Sequence, residues 1–326
     1  MNMHVTDTMR PATRRNGGAL TINLALQGAG SHGAFSWGVL DKLIEDGRVE
    51  IAGIAASGTG AFNAALYTLG RHKGGADGTR ALLENFWRRT SEKWAILHPL
   101  RYAPAAAMLG EAPSWRWLES MTRVFSPYEF NPLNLDPARA VLESLVDFDE
   151  LYRARDVRLA IAATHVRSGQ RRIFGNREIT AKTLAAAACE PQLSHAAELD
   201  GEYYWDGTYG IGPMLAPLVH KSSARDLLLC RISPIARRDV PRTAAEIYAR
   251  TCEIAVHAAL LAEAQALPPP VRAHAISSDD VTSDLSLESR FDMSWHTLRR
   301  LRDLGREATE LWLETLSPRD RKPFPN

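Results

Sequence analysis

Three short segments of this 326-residue chain contain residue types and spacings that could do chemistry. They are QGAGSHG at 27–33, AASGTGA at 55–61 and YWDGT at 204–208. Each is predicted to follow a strand, and an α/β enzyme places its site at the carboxyl ends of its strands. We therefore expect the three segments to form one site if their strands share a sheet.

The first segment is a glycine turn. Its three glycines allow positive φ angles and leave backbone N–H groups uncovered at a helix N-terminus, which suits an anionic centre. That centre could be a developing oxyanion or a dinucleotide phosphate, and a purely structural tight turn also fits. A dinucleotide site places an acidic residue at the end of the second strand. The residues there are Ile54 and Ala55, so the nucleotide hypothesis lacks its ribose contact.

The second and third segments are a small-residue turn and an aspartate turn. Tight packing alone would explain the tiny residues at 55–61. A nucleophile elbow needs the same residue types, because bulk two positions to either side of a nucleophile would clash. Asp206 follows a predicted strand and precedes Gly207. An isolated Asp-Gly pair is more typical of a turn, so its chemistry depends on what surrounds it.

The elements around these segments predict a parallel α/β sheet. A buried strand over 21–26 is followed by a helix over 34–45, a strand over 49–54 and a helix over 61–69. This alternation of strand and helix indicates a parallel sheet covered by helices. Residues 71–79 contain three glycines and predict a surface loop. Later strands are predicted at 158–166, 171–175, 202–205 and 226–233, and later helices at 181–189, 244–267 and 295–316.

Composition limits the partners and the location. The 39 basic and 38 acidic side chains nearly cancel, so no overall field would draw the protein to nucleic acid or to an anionic membrane. The histidines and the three cysteines lack the spacing of a metal site. The N-terminal residues lack the apolar run of a secretory signal, and no stretch is apolar enough for a membrane span. The sequence therefore predicts a cytoplasmic protein whose contacts with lipid are local.

Together the three segments resemble the patatin-like phospholipase family, whose pattern is a G-G-G-x-(R/K)-G oxyanion turn, a G-x-S-x-G elbow and a D-G-(A/G) aspartate. The resemblance runs from about Ile22 to Leu218, and WHTLRRLRDLGREATELWL looks like the closing helix of small bacterial members. It implies an α/β fold, a three-layer α/β/α sandwich with a mainly parallel sheet. The N-terminal residues 1–19 are expected to form a flexible tail. We expect an acyl-hydrolase domain at 20–235 and a helical C-terminal extension at 236–326 packed on it.

The resemblance also implies roles for individual residues. In the family an elbow serine attacks an acyl ester, an aspartate is the general base, and no cofactor or metal takes part. Asp206 matches the aspartate. Aligning GAFNA at 60–64 with the family's G-A-x-N-A puts Gly58 at the position of the catalytic serine. The implied oxyanion hole consists of three matching glycines and one replacement, namely Gly28, Gly30, Gly33 and Ala29. His32 replaces the usual base of that turn.

Because Gly58 has no hydroxyl, two functions remain open. One is a lipid acyl hydrolase of the phospholipase A or esterase type, whose activity is impaired or absent unless Ser57 substitutes as the nucleophile. An elbow centred on Ser57 would put β-branched Thr59 where the family needs glycine, and the shift would point the side chain elsewhere. The other is a pseudoenzyme that binds acyl lipid or a partner. Both imply an acyl lipid or ester ligand, transient contact with a membrane surface and no nucleic-acid partner.

Overall fold

A computed structural model of the chain describes residues 19–28, 30–97, 122, 124–212, 214–232, 237, 240–277 and 290–316. The strands are β1 (Leu20–Leu26), β2 (Val49–Ala56), β3 (Arg158–His165), β4 (Arg171–Gly175), β5 (Ala197–Leu199), β6 (Glu202–Asp206), β7 (Asp226–Arg231) and β8 (Arg272–Ser277). The helices are α1 (Gly33–Asp46), α2 (Thr59–Leu97), α3 (Pro127–Phe130), α4 (Pro137–Leu145), α5 (Phe148–Arg153), α6 (Ala181–Ala187), α7 (Ala216–Val219), α8 (Ala244–Gln265) and α9 (Trp295–Thr315).

The strands of the described residues form one sheet of mainly parallel character. Its order is β5-β6-β3-β2-β1-β7-β8, and β4 pairs with β3 outside this path. The pairs from β3 through β2, β1 and β7 to β8 are parallel. The pairs of β3 with β4, of β3 with β6 and of β5 with β6 are antiparallel. The central strands are almost fully buried, as expected of apolar runs covered on both faces.

Two separate apolar cores lie on the two faces of this sheet. On one face β1, β2 and β3 pack against α1, α2 and α9. On the other face, smaller residues such as Ala25, Ala55 and Ala160 pack against α7 and α8. The predicted three-layer α/β/α sandwich with a mainly parallel sheet is therefore confirmed. None of the helices in the described part of the chain combines the length and the apolar character needed to cross a membrane.

Helices α1 and α9 cross at backbone contact, which fixes the position of α1. A β-carbon added to Gly305 would overlap the carbonyl oxygen of Phe35, and one added to Gly38 would overlap the carbonyl oxygen of Arg302. Beside the crossing, Trp37 stacks between two other indoles, with ring centroids 6.4 Å from Trp87 and 6.0 Å from Trp295. The C-terminal helix thereby holds the helix that begins at the glycine turn of 27–33.

The structure differs from the sequence prediction in several short elements, including the unpredicted strand β5, and in two larger features. Residues 71–79, predicted as a loop, lie in helical backbone that is interrupted only at Gly75, where φ is 60°. The three glycines of this stretch do not serve close packing, because β-carbons on Gly74 and Gly75 would meet nothing within 4 Å and one on Gly78 nothing closer than 3.9 Å. The close approach is at the preceding Gly70, where a β-carbon would lie 2.6 Å from the Cα of Thr79. Strand β8 was not predicted, and it adds an edge strand to the sheet from the extension that was expected to be helical. The first 18 residues of the predicted tail lie outside the described residues.

The crossing of α1 and α9 predicts a stability defect. Gly305→Ala should lower the free energy of unfolding by about 1–3 kcal/mol, the usual cost of overpacking, because the new methyl group overlaps the Phe35 carbonyl. Gly78→Ala is the control, since its β-carbon would meet nothing closer than 3.9 Å. Denaturant unfolding of the two variants checks this. Equal stability of the variants would show that α1 and α9 can separate without cost.

Candidate functional site

The register of the sheet brings the elbow segment and the aspartate together. Two strands that pair with the same residue lie on opposite edges of its strand. Strands β2 and β4 both pair with Ile161, and β4 and β6 both pair with Ala163. Strand β4 therefore lies along one edge of β3, and β2 and β6 both lie along the other. Strand β2 ends at Ala56, opposite Ile161, and Asp206 lies opposite Ala163 on the same edge. The chain that leaves β2 at the elbow therefore enters the gap in front of Asp206.

Gly58 has the geometry of the tip of an elbow. Its φ is +59°, in the left-handed region where side chains are strained, and its N–H donates to the carbonyl of Ala187 at 2.9 Å. A β-carbon built on Gly58 would lie 2.8 Å from Oδ2 of Asp206. A side chain at this position would thus point at the carboxylate. The sequence expectation that Gly58 and Asp206 face each other agrees with the structure, whereas their roles stay a prediction.

The space for that side chain is already filled. The same β-carbon would overlap the carbonyl oxygen of Gly28, well inside the 3.0 Å that real β-carbons keep. Gly28 in turn lies against the elbow, since a β-carbon on it would overlap the amide nitrogen of Gly60. Ala29, which follows Gly28 and was also expected in the oxyanion hole, lies outside the described residues. The glycine turn and the elbow are therefore in direct backbone contact.

The remaining glycines of the implied oxyanion hole also make close contacts. A β-carbon on Gly30, whose φ is +55°, would overlap the carbonyl oxygen of Arg290. A β-carbon on Gly33 would overlap the Thr59 hydroxyl oxygen. These contacts account for both glycines by packing, and the use of their N–H groups for an oxyanion stays a prediction.

The two hydroxyls beside Gly58 are engaged by neighbours. Ser57 is 1% exposed, and its Oγ lies 3.0 Å from Oγ1 of Thr208. The Thr59 hydroxyl donates to the carbonyl of Gly30 at 3.1 Å. The backbone N–H of Thr208 donates to Oδ1 of Asp206 at 2.8 Å. Ser57 is thus connected to the aspartate through Thr208.

The Asp206 carboxyl group is buried, with 4% of the residue exposed. Burial raises its pKa to about 7, and the negative charge of Glu190 contributes in the same direction. Hydrogen bonds from Thr208 and the positive charge of Arg171 oppose this increase. Near neutral pH both the protonated and the ionised carboxyl group are therefore populated. A pKa near the working pH is favourable for proton transfer.

Three further groups of the site gave no signal in the sequence. Arg171 holds the turn after Asp206, because it donates from Nε to the Gly207 carbonyl at 2.9 Å and from Nη1 to the Gly212 carbonyl at 2.6 Å. Glu190 accepts a hydrogen bond from the Tyr209 hydroxyl at 2.9 Å. Arg290 donates to Oε1 of Gln192 at 2.5 Å. All three come from elements that sequence spacing does not relate to the three glycine-containing turns.

His32 lies in the glycine turn and is 4% exposed. Burial and, to a smaller extent, the positive charges of Arg290 and Arg237 together lower its pKa to about 3. The imidazole is therefore neutral at physiological pH. It does not carry the positive charge of the arginine or lysine that the family pattern has at this position.

The mainly parallel sheet covered by helices on both faces, with a glycine turn, a small-residue turn and an aspartate brought together at strand ends, defines an α/β sandwich protein. The family model described as patatin-like phospholipase matches residues 24–214, which is more than half of the chain. The chain belongs to the patatin-like phospholipase family.

Two solved structures are similar to the chain at low identity. VipD from Legionella pneumophila is 11% identical with a TM-score of 0.44, and the match covers 90% of this chain and 67% of VipD. A second is the complex of SpcU with ExoU from the type III secretion system of Pseudomonas aeruginosa, at 14% identity and a TM-score of 0.31. That match covers 91% of this chain and 54% of the matched chain, so this chain spans about half of its length. No curated protein matches.

The Gly28 carbonyl oxygen next to Gly58 predicts what happens when a serine is placed at position 58. Gly58→Ser should lower the stability by more than a left-handed φ alone costs, about 1–2 kcal/mol, because the side chain must displace the Gly28 carbonyl. It should also show no hydrolysis of p-nitrophenyl butyrate above the parent protein. Gly47→Ser is the matched control, since Gly47 has φ +70° and open space around its β-carbon. A stable and active Gly58→Ser would mean that the glycine turn moves aside easily.

The raised pKa of Asp206 predicts how stability depends on pH. The folded state keeps a proton up to a pH of about 7, whereas an unfolded aspartate releases it near its ordinary pKa of 3.8. Stability should therefore fall as the pH rises from 4 through 7, by at most about 4 kcal/mol. Asp206→Asn should remove this fall and be more stable than the parent at pH 8. Thermal unfolding from pH 4.5 to 8.5 measures it.

The control for this measurement is Asp200→Asn, which changes a carboxylate that is 86% exposed. Asp200 also has a positive φ of 55°, which asparagine tolerates. The control should keep the pH profile of the parent. If Asp206→Asn keeps that profile as well, the pKa of Asp206 is not raised.

Proposed function

We propose that this chain is a non-hydrolysing member of the patatin-like phospholipase family, which binds an acyl compound without cleaving it. The observation that carries the proposal is the Gly28 carbonyl at the elbow. It occupies the position that the β-carbon of a nucleophilic residue 58 would need. The position therefore lacks both the hydroxyl and the room for one.

Ser57 does not meet the geometric requirement of a substitute nucleophile. A nucleophile lies within about 2.6–3.2 Å of its base, or one water away from it. The Ser57 hydroxyl is instead paired with that of Thr208, and the residue is 1% exposed. An acyl ester could reach Ser57 only if the elbow opened.

The second candidate function is slow hydrolysis of an acyl ester, of the phospholipase A or esterase type, with Ser57 as the nucleophile. One observation favours it. The Ser57 hydroxyl contacts the Thr208 hydroxyl, and the Thr208 side chain also hydrogen-bonds the Asp206 carboxyl group, so a proton could pass from Ser57 to the Thr208 oxygen as the Thr208 proton passes to a carboxyl group whose pKa is about 7. Neither candidate uses a cofactor or a metal.

The cytoplasmic location and the domain boundary at residue 235 stay predictions of the sequence.

Contact with a lipid surface would be local in either case. Helix α8 exposes three large apolar side chains, and they are Ile247, Tyr248 and Ile254. Tyr209, beside the aspartate, is also 39% exposed. We propose that a transient contact with a membrane surface uses this side of the protein.

Labelling with a fluorophosphonate probe distinguishes the two candidates. We expect neither labelling of the purified protein nor release of nitrophenol from p-nitrophenyl butyrate above the rate of heat-denatured protein. Mass spectrometry locates any modified residue, and Ser57→Ala is the matched variant. Labelling at Ser57 together with hydrolysis that disappears in Ser57→Ala would replace the proposal by the second candidate. An active serine member of the family serves as the positive control for the probe.

A further inference from the structure

The elbow is enclosed by two walls that come from different parts of the chain. One wall is the glycine turn, whose Gly28 carbonyl lies against Gly58. The other wall is the end of α6 with the loop that follows it, where the Ala187 carbonyl accepts from the N–H of Gly58 at 2.9 Å. Access to the elbow therefore requires that the two walls separate.

Arg290, which precedes α9 in the C-terminal extension, contacts both walls. Its carbonyl oxygen lies against Gly30 of the glycine turn. Its Nη2 donates to Oε1 of Gln192, on the loop after α6, at 2.5 Å. The same loop is tied to the aspartate, because the Cys189 carbonyl accepts from the N–H of Asp206 at 2.8 Å. One residue of the extension thus connects the glycine turn to the aspartate side of the site.

The guanidinium group of Arg290 is charged, buried and only partly compensated. Gln192 offers it a neutral amide oxygen, and its buried Nε has no hydrogen-bond partner among the residues that the structure describes. Burial lowers the pKa of Arg290, but the negative charge of Glu190, assisted by Tyr209, outweighs burial and leaves that pKa above its ordinary value. Because a buried charge without a full set of partners costs free energy, this contact is not optimised for stability.

Another arginine of the extension is paired more completely. Arg237 donates to both carboxylate oxygens of Glu253, from Nε at 2.9 Å and from Nη2 at 2.6 Å. A two-pronged bond to a carboxylate is stronger than one bond to a neutral amide. The bond between Arg290 and Gln192 is therefore the weaker contact of the two. Segments that open for function come from the less stable contacts of a protein.

We propose that Arg290 is an autoinhibitory clasp, which keeps the two walls closed over the elbow until its bond to Gln192 breaks and the glycine turn moves away from Gly58. The sheet beneath stays folded when the clasp opens, since β1, β2 and β3 are joined by their own ladders. This inference rests on the proposed function, because it names the contact that regulates access to the same site.

Hydrogen exchange of the full chain, read by mass spectrometry of peptides, tests the clasp. Exchange in the peptides 30–36 and 57–62 is expressed relative to a β3 peptide, 159–164, which reports unfolding of the sheet. Arg290→Met removes the charge and the donors and keeps most of the bulk. We expect it to raise the ratio at least about tenfold, as expected from the loss of a hydrogen bond made by a charged group. An unchanged ratio would overturn the clasp.

Arg272→Met is the matched control. Arg272 also belongs to the extension and donates from Nη2 at 2.5 Å, but its acceptor is Asp226 at the first residue of β7, the opposite end of the sheet from the elbow. Any loss of stability in this variant should affect all three peptides alike, so the ratio should equal that of the parent. A ratio raised as much as in Arg290→Met would overturn the inference, because the elbow would then respond to any lost arginine contact.

Gln192→Ala removes the other half of the clasp and should also raise the ratio. Since both variants break the same bond, the double variant should exchange no faster at the elbow than Arg290→Met alone. This second route keeps the test available if Arg290→Met does not fold. Fully additive effects of the two substitutions, or no effect of Gln192→Ala, would show that the bond between them does not close the site.

Fluorophosphonate labelling of the parent protein separates this inference from the proposed function. Labelling at Ser57 in the parent would refute the absence of a competent nucleophile, and the exchange ratios would still decide the clasp. A parent that is not labelled, together with an unchanged ratio in Arg290→Met, would refute the clasp and leave the proposed function in place.

Discussion

The backbone contact between Gly28 and Gly58 is the constraint on which the arrangement of the site depends. It requires glycine at both positions, because a β-carbon on either would overlap backbone atoms of the facing turn. The missing hydroxyl at residue 58 and the closed glycine turn are therefore consistent with each other. An elbow that carried serine would need the two turns to stand further apart than they do here.

The C-terminal extension is part of the structure that maintains this contact. Helix α9 crosses α1 at Gly38 and Gly305, which fixes the helix that follows the glycine turn. The carbonyl of Arg290 lies against Gly30 on the outer side of the same turn. From α8, Glu263 pairs with Arg171, which holds the turn after Asp206. Strand β8 extends the sheet itself, so the extension and the sheet form one hydrogen-bonded framework.

The sequence predicts well what depends on local pattern. The buried strands are short apolar runs, and the alignment through GAFNA at 60–64 singles out Gly58, which the structure places beside Asp206. Strand β8 reads RAHAIS, which is too short and too polar to stand out as a strand. Arg171 and Glu263 are 92 positions apart (263 minus 171), and their pairing depends on tertiary packing that no local pattern reports.

The presence of Asp206 does not require a catalytic role. Its N–H donates to the carbonyl of Cys189 at 2.8 Å, and its own carbonyl accepts from the Thr164 hydroxyl at 2.7 Å. Its carboxylate accepts from the Thr208 N–H and so begins the 3-10 turn Gly207–Tyr209. Thr208 and Tyr209 of that turn line a cavity of about 530 Å³ between the turn and helix α8. The aspartate therefore shapes the surface that a ligand would meet, and it can do so whether or not a nucleophile stands opposite it.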